Sequence, residues 1–190
     1  MNKVGRTITR LASRLTVREP AVHGVNSLWN LKEQVMTQSP TERAAATGAN
    51  LEQVWQDHLA GEFVNKDVEA TLATMTEDAF VNHVPVNTGG RGKDELRVFY
   101  RDNFIPSWPE DLQMIPVNRV VGSGQLVDEL HVTFTHSKPM NWFLPNVPTT
   151  NKRVEIDIVV VAQFRGDKLT CERIYWDQAT VLRQVGLLPK

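Results

Sequence analysis

Glu172-Arg173-Ile174-Tyr175-Trp176-Asp177-Gln178-Ala179-Thr180-Val181-Leu182-Arg183-Gln184-Val185-Gly186-Leu187-Leu188 is a strand that runs straight into a short helix. Ile174 and Trp176 alternate with Tyr175 and Asp177, so the two pairs face opposite sides. Asp177 stands where a helix N-cap belongs, and Gly186 where a helix stops. Before this joint the sequence keeps strand-like patterns. Leu112 to Val121, Gln125 to His136, Arg153 to Phe164 and Lys168 to Trp176 are separated by Gly122-Ser123-Gly124, a proline-broken loop from Ser137 to Asn151, and Gly166-Asp167. Such a run is an antiparallel four-strand meander.

Helices come first. Leu51, Val54, Trp55, His58, Leu59 and Phe63 keep helical spacing over residues 50 to 64. Asp67 caps a second helix with Val68, Leu72 and Met75, and Lys93 to Phe104 form a third that ends at Pro106. Between them Ala79 to Val84 is a short strand, and Gly89-Gly90-Arg91-Gly92 a turn. Helices followed by a meander give the α+β class, with three N-terminal helices packed on a curved antiparallel sheet.

The chain of 190 residues has formal net charge −1, which argues against a nucleic-acid partner. The single Cys171, inside a strand, excludes an internal disulfide and is expected to be a buried, inert thiol. No apolar run is long enough for a transmembrane segment. Residues 1–48 form an extension ahead of a domain at 49–190. Lys3, Arg6, Arg10, Arg14 and Arg18 recur at helical spacing with no acid before Glu19, a basic amphipathic helix over residues 3–18. That pattern fits mitochondrial targeting in a eukaryote and otherwise leaves a cytoplasmic location.

Alternation puts Leu126, Asp128, Leu130, Val132, Phe134 and His136 on one face, and Glu129, His131 and Thr133 on the other. In the next strand Ile156, Ile158, Val160 and Ala162 oppose Asp157, Val159 and Val161. Both faces of that strand are largely apolar, so a second cover is expected, and a homodimer supplies it. Asp128 and His136 lie about 26 Å apart along one strand and cannot act as a dyad. No histidines show paired ligand spacing, so no metal site is expected, and no cofactor-binding glycine motif occurs.

These segments carry a resemblance. Val81-Asn82-His83-Val84-Pro85 with Gly89 to Gly92, Val127-Asp128-Glu129 with Phe134-Thr135-His136, Trp142-Phe143-Leu144-Pro145, and Trp176-Asp177 resemble the SnoaL-like (polyketide cyclase-like) branch of the NTF2-like superfamily. The resemblance covers about residues 50 to 188 and implies a cone-shaped fold with a cofactor-free site in its mouth. It also implies general acid–base chemistry on a hydrophobic carbonyl-type small molecule, as in a cyclase, isomerase or dehydratase. His136 matches the family's strand-end histidine, and Asp157, ahead of Glu155, its aspartate. Asn151 replaces a usual glycine, and asparagine tolerates the left-handed backbone.

His83, before a proline, is a further catalytic candidate. Tyr100, Glu129, Trp142, Trp176 and Asp177 are candidates for substrate binding, with Trp142 and Phe143 as a lid. His58 is expected to be a helix-packing histidine, and His131 exposed or at an interface. Two other readings are a non-catalytic binding or assembly domain, and an epoxide hydrolase with Arg119 or Arg173 between two aspartates.

Overall fold

Asn50 caps the first helix by accepting the Gln53 amide, and α1 runs Leu51–Leu59. The computed structural model describes residues 50–189, so the basic helix expected over residues 3–18 lies outside the described residues. α1 continues into a π-helical turn, Ala60–Val64. Asp67 then caps α2, Val68–Ala73, by accepting the amides of Glu69 and Ala70. α3, Gly92–Phe99, also passes into a π turn, Tyr100–Phe104, before Ile105–Ser107 tightens into a 3₁₀ turn at Pro106. α4, Gln178–Gln184, starts from Asp177, whose carboxylate accepts the amides of Ala179 and Thr180.

The strands are β1 (Met75–His83), β2 (Thr88–Arg91), β3 (Gln113–Gly122), β4 (Gln125–Thr135), β5 (Arg153–Arg165) and β6 (Lys168–Tyr175). They form one six-stranded sheet in the order β2-β1-β6-β5-β4-β3. The expected meander is its larger part. β1 joins the sheet by pairing parallel to β6, and every other neighbouring pair is antiparallel.

Two expectations change. β1 starts earlier than Ala79, and the glycine run expected as a turn is β2, paired with β1 through Val81↔Gly90 and Asn82↔Gly89. Gly89 is required there. Its φ is +138°, and a Cβ would sit 2.0 Å from the Val81 carbonyl oxygen.

The inner face of the sheet carries Leu126, Leu130, Val132, Phe134, Val154, Ile156, Ile158, Val160 and Ala162, all buried, and the helices cover it. The outer face leaves Val120, Val127 and Tyr175 exposed, with Val159 and Val161 half-buried. Asn151 takes φ +53°, so the loop before β5 closes with asparagine in the left-handed region. No described helix is long and apolar enough to cross a membrane.

Candidate functional site

The helices and the concave sheet enclose a cavity of about 550 Å³, mouth included. Its walls are mostly aromatic. Trp55, Phe63, Phe99, Phe104, Trp108 and Trp142 line it with aliphatic side chains of β4 and β5. Polar side chains are few: Glu62, Tyr100 and Glu172 on one side, and His83.

The floor is built from opposite ends of the domain. Trp55, His58 and Glu62 recur at three and four residues, so they share one helical face, and the π turn carries Glu62 inward. Glu172 comes from β6, where simple alternation fails. Leu169, Glu172 and Ile174 are all buried, and the β5–β6 register shifts between Gln163 and Phe164. That irregularity exchanges the faces of the strand and turns Glu172 inward.

His58 Nε2 then lies 2.8 Å from Glu172 Oε1 and 3.2 Å from Glu62 Oε1. Its Nδ1 meets Thr74 Oγ1 at 2.7 Å, and that hydroxyl gives its own hydrogen to the Thr71 carbonyl at 2.6 Å. The ring stacks on Trp55, centroids 5.7 Å apart, and meets Tyr100 edge-on.

Burial opposes charge on His58, but the Glu172 and Glu62 carboxylates outweigh it and push the pKa up to about 10. Burial lifts the Glu62 carboxyl above its ordinary range, with His58 pulling the other way. Burial, with Glu172 and Glu62 alongside, holds the Tyr100 phenol well above its usual value, so Tyr100 keeps its proton and can donate it.

His83 is different. Phe99, Phe104, Trp142 and Trp176 surround its ring at centroid distances of 4.7–5.9 Å. Burial drives its pKa down to about 3, against the Thr88 carbonyl, which lies 3.3 Å from Nδ1. A carbonyl only accepts, so Nδ1 carries the hydrogen. That leaves the Nε2 lone pair for a ligand.

The structure gathers His83, Tyr100 and Trp142 around one cavity and leaves the other expected residues elsewhere. Trp142 is a fixed wall and not a lid. It is 2 % exposed, its indole N–H donates to Ser107 Oγ, and its carbonyl accepts from Thr88. Trp176 stands behind His83, outside the lining, with its indole N–H on Gln178.

His136 does not line the cavity. Its Nδ1 accepts the Thr150 amide, and its backbone bonds Lys152 and Asn151, so it clamps the two ends of the long loop. Asp157 lies on the outer face against His131 Nδ1 at 2.8 Å, so the expected His136–Asp157 pair is not formed. Glu129 is on that same outer face, opposite Asn118 and Val159. Asp177 is spent on the α4 cap.

Asp128, too far along its strand to pair with His136, is buried and accepts from the Trp55 indole and both forks of Arg119. Arg119 therefore engages one aspartate, and the arrangement needed for epoxide hydrolysis is not formed around it.

The residues missed were His58, Glu62 and Glu172. The spacing of the histidines gave no reason to expect a metal site, yet the donor atoms of these three residues lie within 4.8 Å of one another. His58 and Glu62, four apart on an otherwise apolar helix face, were the available signal. Glu172 needed the bulge.

Over residues 54–185 the sequence matches the family described as SnoaL-like polyketide cyclase. No curated protein matches it. Several solved structures are similar. A putative SnoaL-like polyketide cyclase from Jannaschia sp. CCS1 is 17 % identical over 75 % of this chain and 99 % of its own, with a TM-score of 0.58. An NTF2-like protein of unknown function from Burkholderia pseudomallei is 16 % identical over 73 % and 98 %, with a TM-score of 0.56. AclR from Streptomyces galilaeus, a putative hydroxylase, is 17 % identical over 80 % and 89 %, with a TM-score of 0.54.

Proposed function

The chain belongs to the SnoaL-like polyketide cyclase family and has an NTF2-like fold, and on that footing we propose that it is an enzyme moving protons on a flat, uncharged carbonyl compound. The observation that carries this reading is the pairing of buried acids with aromatic walls. Glu62, Glu172 and Tyr100 meet at one side of an otherwise apolar cavity.

A planar ligand would lie between the aromatic rings with its carbonyl oxygen on the Tyr100 hydroxyl. A floor carboxylate, Glu62 or Glu172, takes the neighbouring α-proton. The electron pair of that C–H bond becomes a C=C bond, and the carbonyl π pair moves onto oxygen, where Tyr100 stabilises it. The carboxyl then returns the proton to carbon, to oxygen or to a leaving group. A positioned acid–base group of this kind contributes about 10²–10⁴-fold to rate. His83 offers an acceptor to a ligand hydroxyl. His136 and Asp157 hold the scaffold: one fixes the loop and the other pairs with His131.

The test needs no natural substrate. Neutral bicyclic aromatic ketones are incubated with the protein in D₂O, and loss of their α-proton signals is followed by NMR. Exchange should be accelerated, and Glu62→Gln and Glu172→Gln should each slow it by about 10²-fold or more. Ligands that bind without exchange would instead make this a binding domain.

We also assign the outer sheet face to a homodimer. The exposed Val120 and Val127 sit side by side in register, with Val161 next in the row. Exposed apolar rows of this kind mark contact surfaces.

A further inference from the structure

His58 Nε2 faces two carboxylate oxygens and has a fixed tautomer. The Thr74 hydroxyl donates to Thr71, so toward His58 it can only accept, and Nδ1 carries the hydrogen. Nε2 therefore presents either a lone pair or a second proton to Glu62 and Glu172.

A lone pair against two carboxylates is repulsive, so positive charge must lie among the three atoms. A proton on Nε2 would have to aim at one of the oxygens. The carboxylates favour such a proton, yet its alignment is poor: Nε2 and Glu172 Oε1 are both buried without a well-directed hydrogen bond, although they are 2.8 Å apart. A cation at the point where the three atoms converge needs no such alignment.

The spacing fits. Ligands about 2.0–2.2 Å from a metal and at roughly right angles are about 3 Å apart. The observed separations from Nε2 are 2.8 and 3.2 Å. Charge fits as well, because two carboxylates and a neutral imidazole balance a divalent ion in an apolar cavity.

We propose that His58, Glu62 and Glu172 bind one divalent first-row transition cation at the floor of the cavity. One nitrogen with two carboxylate oxygens suits Zn²⁺, Co²⁺, Mn²⁺ or Fe²⁺ better than Mg²⁺ or Ca²⁺, which prefer all-oxygen shells. The outer support that such a histidine requires is already in place, since Thr74 holds its other nitrogen. Glu62 and Glu172 border the cavity, so a cation can enter and keep positions open for a ligand oxygen. The inference rests on the floor being the reacting end of the cavity. A cation there would polarise the same carbonyl that Tyr100 meets.

The test uses the full chain, stripped with chelator, dialysed and titrated with Co²⁺ and Zn²⁺, with elemental analysis and the visible bands of Co²⁺ as readouts. About one equivalent per chain should bind. Binding should survive His131→Ala, which removes the exposed His131 group on the outer face. It should weaken by tenfold or more in Glu172→Gln and by about 10–100-fold in Thr74→Val, which keeps all three ligands. Thr74→Val decides the matter if Glu172→Gln does not fold.

No uptake at micromolar Co²⁺ or Zn²⁺ would overturn the site, as would uptake lost in His131→Ala and kept in Glu172→Gln. Ketone exchange is measured on the stripped and the loaded protein. Exchange without uptake removes the metal and leaves the enzyme reading. Uptake without exchange does the reverse.

Discussion

Single residues here are set by what surrounds them more than by what they are. His83 stays neutral in its aromatic cage down to about pH 3, whereas its ordinary value is 6.5. Between those limits the unfolded chain binds the extra proton. The stability His83 allows is therefore complete above about pH 6.5 and lost as pH falls toward 3. Replacing it with phenylalanine should flatten this acid limb. Urea unfolding of wild type and His83→Phe at pH 7, 5.5 and 4.5 checks it, and parallel curves would refute it. The sequence made His83, Tyr100 and Trp142 visible, because a histidine before a proline and aromatics on loop and helix faces are unusual enough to notice. It hid His58, because a histidine three residues after a tryptophan also suits plain packing. Only the distance to Glu172, remote in sequence, separates the two readings.

At the scale of elements, both helices that supply the cavity end in π turns, and Glu62 and Tyr100 sit in those turns. Wider turns of this type commonly occur at functional positions. Gly61, beside Glu62, allows α1 to approach α2. A Cβ there would meet Thr71 Oγ1 at 2.6 Å and the Thr71 amide nitrogen at 3.0 Å. Gly61→Ala should cost about 1–3 kcal/mol through overpacking. That is a melting-point loss of roughly 2–10 °C by circular dichroism. Ketone exchange should fall in the same variant, since Glu62 moves with its neighbour. Helix caps and meander order were legible because Asp67, Asp177 and Gly186 speak locally. The parallel β1–β6 pairing and the bulge were not, since both depend on partners far along the chain.

For the whole molecule, the outer face of the sheet predicts association. Sedimentation equilibrium should give twice the chain mass of 21.5 kDa. Val127→Asp should shift it to the single-chain mass without loss of secondary structure, because Val127 points away from the core. The described domain of residues 50–189 was legible as α+β, while the strand-end histidine that the sequence singled out, His136, stands outside the cavity lining. The cavity floor joins α1 to β6, the first and last but one of the regular elements among the described residues. A ribosome delivers residues in that order, at about 5–20 per second. His58 and Glu62 must therefore wait several seconds for Glu172, while β1 waits for the strand beside it. A chain released before β6 leaves β1 without its parallel partner and His58 without Glu172, so the sheet and the cavity floor are completed by the same late strand.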